Sequence, residues 1–241
     1  MKNQYCGDVH DYRKYGLLRH LIRSGFQRPL IVWMLTRDDS SRDGGFRSYL
    51  SKPERYKSFD PELFDILRDQ HSEESLSVDL IRRIGVLRAA SFHPDEVPDS
   101  RKARMQWQAT MQSKAKDADL VFFDPDNGIE VKSKPAGRKG SSKYLLWNEL
   151  TEVWRNGSSI LVYQHLSREK RALLASRLAD ELSRRTGASN IKVFRSPNVL
   201  FLFAAQDRHA NCFVKALSSL TDAFTEHVAP MSLDFCSGNP S

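Results

Sequence analysis

The fold is decided by one stretch of sequence, Asp119-Leu-Val-Phe-Phe-Asp124-Pro125-Asp126-Asn127-Gly128-Ile-Glu130-Val-Lys132. Its apolar, β-prone run, Leu120 to Phe123, ends abruptly at Asp124-Pro125. The nine residues from Asp124 to Lys132 carry three carboxylates, an amide, a glycine and a lysine. Open α/β sheets bind their ligands at such polar turns, at the carboxyl ends of buried strands. The stretch therefore predicts an α/β fold with a functional site at the end of a central strand.

Strand-like and helix-like segments alternate on both sides of this stretch. The other predicted strands are Leu30 to Leu35, Ala89 to Phe92, Ser159 to His165, and a hairpin of Asn190 to Phe194 with Val199 to Ala204. Their order predicts a doubly wound, mostly parallel sheet whose last strand is antiparallel. The length suits one domain over residues 1–241, in which residues 46–88 form a helical insertion after the first strand.

Helix boundaries follow from capping residues. Asp11 is the expected N-cap of a first helix that Gly25 ends, and its charged side predicts a surface helix. Alternatively, Asp8, His10, Asp11 and Lys14 lie near the site as a lid or as substrate contacts. Later helices are expected after Asp60, over Ser77 to Leu87 and Ser100 to Lys116, from Lys143 to Trp154 with Ser142 as cap, from Ser167 to Gly187, and near Cys212 to Leu220.

Composition limits the partners and the compartment. The 37 Lys and Arg exceed the 30 Asp and Glu by seven, and the pI is near 9.4. This balance is compatible with a nucleic-acid partner, RNA or DNA, or with ordinary solvated helix faces. Three widely spaced cysteines indicate a reduced, cytoplasmic setting. There is no leader pattern and no membrane-length apolar run, so no membrane partner is expected.

Two loops supply further candidate residues. The acidic loop after the first strand is expected to bind a nucleoside-bearing cofactor through Thr36, Asp38, Asp39 and Gly44, although it has no GxGxxG pattern. The loop after the central stretch is basic and glycine-containing, and it is either a phosphate-backbone contact or a plain surface loop. The candidate substrate contacts are Lys14, Glu130, Lys132, Arg138, Lys139, Lys143, Gln164 and His165.

The central turn resembles a known catalytic motif. Phe-Phe-Asp124-Pro125-Asp126-Asn127 is similar to the (D/N)-P-P-(Y/F/W) motif of adenine-N6 methyltransferases, and the layout around it resembles the ribosomal-RNA members of that Rossmann-like group. The resemblance implies S-adenosylmethionine as cofactor, Asp124 as acceptor for the exocyclic amine, and Pro125 as the turn former. Asp126 and Asn127 replace the second proline and the aromatic residue. The strings GDVHDYRKYGLLR, FFDPDNGIEVKSKP and SSKYLLWNEL also resemble a bacterial family, which implies no particular activity.

Two alternatives use the same residues differently. Asp119 with Glu130-Val-Lys132 resembles the D…ExK core of nucleases that bind Mg²⁺ or Mn²⁺ on a strand hairpin. In the other alternative the chain binds nucleic acid without catalysis, and Asp124, Asp126 and Asn127 only form a turn.

Overall fold

The structure is a computed structural model that describes residues 1–2, 6–37, 46–73, 77–166 and 168–233. Within these ranges the main sheet has seven strands. They are β1 (Pro29–Val32), β2 (Ser91–His93), β3 (Leu120–Phe123), β6 (Ser159–His165), β7 (Asn190–Ser196), β8 (Val199–Ala205) and β9 (Ala229–Pro230). A separate pair, β4 (Gly128–Ile129) and β5 (Tyr144–Leu145), follows the central turn.

The strand order is β2-β1-β3-β6-β8-β7-β9. The first four of these strands are parallel neighbours. Strand β8 is antiparallel to both β6 and β7, and it lies between them. The predicted α/β class, the parallel central strands and the antiparallel late strand are therefore confirmed.

Helices cover both faces of the sheet. The helices are α1 (Val9–Ser24), α2 (Pro53–Tyr56), α3 (Pro61–Glu73), α4 (Val78–Arg83), α5 (Arg101–Ala115), α6 (Trp147–Arg155), α7 (Arg171–Thr186), α8 (Ala210–Ser218) and α9 (Asp222–Thr225). One core contains α1, α3, α4, α8 and α9, and the other contains α5, α6 and α7. The part of the predicted insertion that the structure describes is helical and packs into the first core.

Strand β3 is buried on both sides because its side chains alternate between the two cores. Leu120 and Phe122 pack in the first core, whereas Val121 and Phe123 pack in the second. This arrangement explains why β3 is a continuous apolar run rather than an alternating one. The strand has the bounds that the sequence predicts, as does β6.

Several predicted helix starts were wrong. The N-cap of α1 is Asp8, whose carboxylate accepts from the backbone amides of His10 and Asp11. Helix α6 begins at Trp147 rather than Lys143, because Tyr144 and Leu145 form β5 before it. Helix α7 begins at Arg171, and Ser167 lies outside the described residues.

The predicted surface position of α1 was also wrong for Lys14 and Arg19, whose charged groups are buried in ion pairs, whereas Arg23 on the same helix is 56% exposed. The guanidinium group of Arg19 donates to the Asp60 carboxylate over 2.8 Å and to the Val86 carbonyl over 2.9 Å. Lys14 is buried in the same way. The helical insertion thus supplies partners that make a charged helix compatible with the core.

In the described part of the chain, no helix has both the length and the apolar character needed to cross a membrane.

Candidate functional site

A cavity of about 500 Å³ opens at the carboxyl ends of β3 and β6, beside the amino end of α1. Its wall is built from several parts of the chain that are distant in sequence. The lining residues include Asp8, His10, Asp11, Lys14, Phe46, Asp124, Pro125, Asp126, Asn127, Lys143, Tyr163, His165 and Asn198, together with Met1 and Lys2. The volume suits a ligand of nucleoside size.

The turn after β3 is fixed by a buried glutamine. Gln164 accepts a hydrogen bond from the Ile129 amide over 2.9 Å and donates to the carbonyls of Asn127 and His165 over 3.2 and 2.9 Å. Gly128 has a φ of +121°, and a Cβ there would lie 2.3 Å from the Gln164 amide oxygen. Gln164 was predicted to contact substrate; in the structure its amide group braces the turn, and it is not among the residues that line the cavity.

The carboxylate of Asp124 is held by a lysine from α1. Lys14 Nζ lies 2.6 Å from Asp124 Oδ2 and 2.7 Å from Asp11 Oδ1, and all three side chains are buried. Burial alone would lower the pKa of Lys14, but the carboxylates of Asp11 and Asp124 raise it above its usual value. Burial raises the pKa of Asp124, and the ammonium group of Lys14 opposes that rise. The pair therefore fixes the position and charge of the motif carboxylate.

Asp126 joins the ends of β1 and β3. The Thr36 hydroxyl donates to Asp126 Oδ2 over 2.7 Å, and the Met1 amino group lies 2.7 Å from Oδ1. Burial favours the protonated acid, but the amino group and Thr36 outweigh it and lower the pKa of Asp126. Thr36 is therefore part of the site region, although through Asp126 rather than through the cavity wall.

Two titratable groups sit at the amino end of α1. Burial, with the neighbouring Asp11 carboxylate, raises the pKa of Asp8 to about 7. Burial, with the nearby charges of Arg13 and Lys14, lowers the pKa of His10 to about 4. At neutral pH His10 is therefore uncharged, whereas Asp8 is near its midpoint.

The charges of the cavity wall nearly balance. Among the described lining residues, the carboxyl groups of Asp8, Asp11, Asp124 and Asp126 oppose the side chains of Lys2, Lys14 and Lys143 and the amino group of Met1. A cavity with little net charge suits a neutral polar ligand better than a polyanion, because unpaired buried charge is costly. The amide groups of Asn127 and Asn198 add donors and acceptors to the wall.

Apart from Thr36 and Gln164, the predicted site residues fall into three groups. The first group lines the cavity and comprises Lys14, Asp124, Pro125, Asp126, Asn127, Lys143 and His165. The second lies away from it: Glu130 accepts from the Trp147 amide over 2.8 Å, while Lys132, Arg138 and Lys139 are exposed on the basic loop. The third group, Asp38, Asp39 and Gly44, lies outside the described residues.

The hairpin expected for a D…ExK core is not formed. Asp119 lies at the amino end of β3, where it accepts from the amides of Gln27 and Arg28. Glu130 lies beyond the carboxyl end of β3, and β4 pairs in parallel with β5 rather than returning along β3. Over the described ranges, no group of three or more His, Cys, Asp or Glu could hold a metal ion.

Besides Met1 and Lys2, three lining residues were not among the candidates that the sequence analysis named. Tyr163 and Asn198 lie at the end of β6 and in the β7–β8 turn, so their position follows from the antiparallel register of β6 and β8. Phe46 follows the first acidic loop, and no pattern in its neighbours distinguishes it from other loop residues. No protein-family model matches this chain, and no curated protein matches it.

Proposed function

We propose that this chain is a methyltransferase-like enzyme that acts on nucleic acid, with the N6 amine of adenine as target and S-adenosylmethionine as methyl donor. One observation carries the proposal: the Asp124–Asn127 turn lies at the carboxyl end of a central strand and faces a cavity of about 500 Å³. The strand order adds support, because Rossmann-like methyltransferases also have an antiparallel last strand.

Asp124 is the acceptor for the exocyclic amine in this proposal. Lys14 neutralises part of its charge and holds it in one position, and Pro125 fixes the start of the turn. Fixed acceptors in a site that excludes water orient an amine without reorganisation during the reaction. S-adenosylmethionine, when bound, supplies the methyl group.

The cofactor is assigned to the ends of β1 and β2. Thr36 lies at the end of β1, and the exposed acids Asp95 and Glu96 follow β2. Carboxylates at this place in a doubly wound sheet suit ribose hydroxyls. The described residues therefore fit a nucleoside cofactor, and Asp38, Asp39 and Gly44 remain the further candidates on the same loop.

The target base and the phosphate backbone of the nucleic acid are assigned to different surfaces of the protein. The nearly neutral cavity suits an unstacked base, whereas Lys132, Arg138 and Lys139 are exposed on the adjacent loop and suit phosphates. Lys143 links the two surfaces, because it ends this loop and also lines the cavity.

A non-catalytic nucleic-acid-binding protein is the second candidate function. It is favoured by the burial of Asp124, which is 1% exposed and already paired with Lys14. In that case the acidic turn is structural, and the cavity binds a base without a methyl donor.

The binding of S-adenosylmethionine separates the two functions. A ligand that binds only the folded state increases the free energy of unfolding, by about 2.7 kcal/mol at a hundredfold excess over Kd. This increase raises the melting temperature. With saturating S-adenosylmethionine, the melting temperature of a methyltransferase should therefore rise by several degrees. ATP at the same concentration is the control for binding of any adenosine-containing ligand, and it should give a smaller rise. An unchanged melting temperature would contradict the methyltransferase proposal and favour the non-catalytic nucleic-acid-binding protein.

A further inference from the structure

Phe46 is an exposed aromatic residue on the rim of a polar cavity. Its side chain is 63% exposed, and of the five large apolar side chains that are exposed in the described ranges it is the one that lines the cavity. The other four are Met105, Val131, Leu173 and Val214. Single exposed apolar side chains are common on protein surfaces. Phe46 differs from the other four because its ring stands beside the hydrogen-bonding groups of a cavity, where an aromatic face can stack on a base.

The backbone at Phe46 is anchored to the site. Its carbonyl accepts a hydrogen bond from the Val9 amide over 3.2 Å, at the first residue of α1. The next residue, Arg47, donates to the Cys6 carbonyl over 2.7 Å. These bonds tie Phe46 to the amino end of α1, where Asp8 and His10 also line the cavity.

The other benzene ring in the described cavity wall is already in contact on its face. Lys14 Nζ lies 5.0 Å from the centroid of the Tyr163 ring, and the Phe201 ring meets it edge-on at 5.9 Å. Tyr163 therefore contributes wall area rather than a free π-face. No ring contact of this kind is formed by Phe46 within the described residues.

We infer that Phe46 is the stacking surface for a purine base held in the cavity. This inference rests on the proposed function for the identity of the ligand. It assigns the face of the base to Phe46 and its polar edge to amides and carboxylates among the other lining residues, such as Asn127 and Asn198. Phe46 is a positioning residue, since it contacts the base rather than the reacting bond.

The test uses short single-stranded RNA and DNA that contain 2-aminopurine, whose fluorescence falls when the base stacks on an aromatic ring. Wild-type protein should bind these strands with low emission at saturation. Phe46→Leu keeps a similar apolar volume but removes the ring, so affinity should fall on the order of tenfold and emission should rise. Phe46→Trp should restore both the affinity and the low emission.

Two controls separate stacking from other effects. Leu173→Ala removes another exposed apolar side chain, on α7, and should leave binding and emission unchanged. His165→Ala tests whether the exposed imidazole in the wall is the stacking group instead. The melting temperature of Phe46→Leu should equal that of the wild type, because the ring is mostly in solvent.

The outcomes distinguish this inference from the proposed function. If the wild type binds no 2-aminopurine strand, or if Phe46→Leu behaves as the wild type, the inference is wrong even where methyl transfer is found. If the emission depends on Phe46 but S-adenosylmethionine does not bind, the stacking inference is supported and the methyltransferase proposal is contradicted.

Discussion

The ammonium group of Lys14 on α1 lies 2.6 Å from the Asp124 carboxylate at the end of β3, although 110 residues separate them. A buried lysine between two carboxylates ties the first helix to the Asp124–Asn127 turn. Removing one partner of such a pair leaves uncompensated buried charge, which is more destabilising than the loss of a surface pair.

Lys14→Met should therefore lower the free energy of unfolding by about 3–5 kcal/mol, because Asp11 and Asp124 lose their shared cation. Urea denaturation measures the change. Lys57→Met is the matched control, since Lys57 pairs with Asp65 at the surface and should cost at most about 1 kcal/mol. Equal losses in the two variants would contradict a stabilising role for the buried pair.

Asp8 should make the stability of the protein depend on pH. Its pKa is raised to about 7 in the folded state from an ordinary value of 3.8, so the folded state binds more protons between these values. Stability from this group is complete below pH 3.8 and is lost as the pH rises through 7.

Asp8→Asn removes that titration but keeps a good N-cap. The variant should be more stable than the wild type at pH 8 by on the order of 1–3 kcal/mol, and the difference should shrink towards pH 4. Thermal unfolding at both pH values checks this. A constant difference between the two proteins would show that Asp8 does not titrate in this range.

Gly128 should be intolerant of alanine. The backbone there has a φ of +121°, and the new Cβ would meet Gln164, which is held by three hydrogen bonds. Gly128→Ala should cost more than roughly 2 kcal/mol and weaken ligand binding. Gly187→Ala is the control for backbone strain alone, since its φ is +72° with no atom within 4 Å, and should cost roughly 1–2 kcal/mol. Equal losses of stability in the two variants would show that a clash with Gln164 does not contribute to the cost of Gly128→Ala.

The basic loop should set the salt dependence of nucleic-acid binding. Arg138→Ala with Lys139→Ala removes two exposed cations, so the slope of log K against log salt should fall by about 1.4 for single strands. Lys116→Ala with Arg155→Ala removes two exposed cations from the carboxyl ends of α5 and α6, at the other edge of the sheet, and should leave the slope unchanged. The same loss of slope in both double variants would show that charge alone, and not this loop, drives binding.

Local patterns located β1, β2, β3, β6, β7 and β8 to within a few residues, but they predicted neither the short strands β4, β5 and β9 nor the surroundings of the helices. β3 and β6 have their predicted bounds because long apolar runs between turn residues leave little freedom in where a strand ends. The buried state of α1 was not predictable, because the partners of Lys14 and Arg19 lie far along the chain at Asp124 and Asp60.

The parts of the candidate site that lie at strand ends were predictable from the sequence. The parts that depend on contacts between distant segments were not. The Asp124–Asn127 turn was located from the sequence, because polar residues after a buried strand meet at one edge of the sheet. The bracing role of Gln164 and the parallel pairing of β4 with β5 depend on contacts between separate segments. Neither leaves a pattern within its own segment.

The central claim is tested most directly by methyl transfer from S-adenosylmethionine to RNA and DNA, with the modified nucleoside identified by mass spectrometry. The account predicts N6-methyladenine with the wild type, a loss of at least about a hundredfold with Asp124→Asn, and an unchanged rate with Asp119→Asn, the same substitution at the opposite end of β3. Asn127→Ala, in a partly exposed lining residue, gives a second variant should Asp124→Asn fail to fold. Absence of N6-methyladenine with either nucleic acid, or a rate indifferent to both Asp124 and Asn127, would contradict the account.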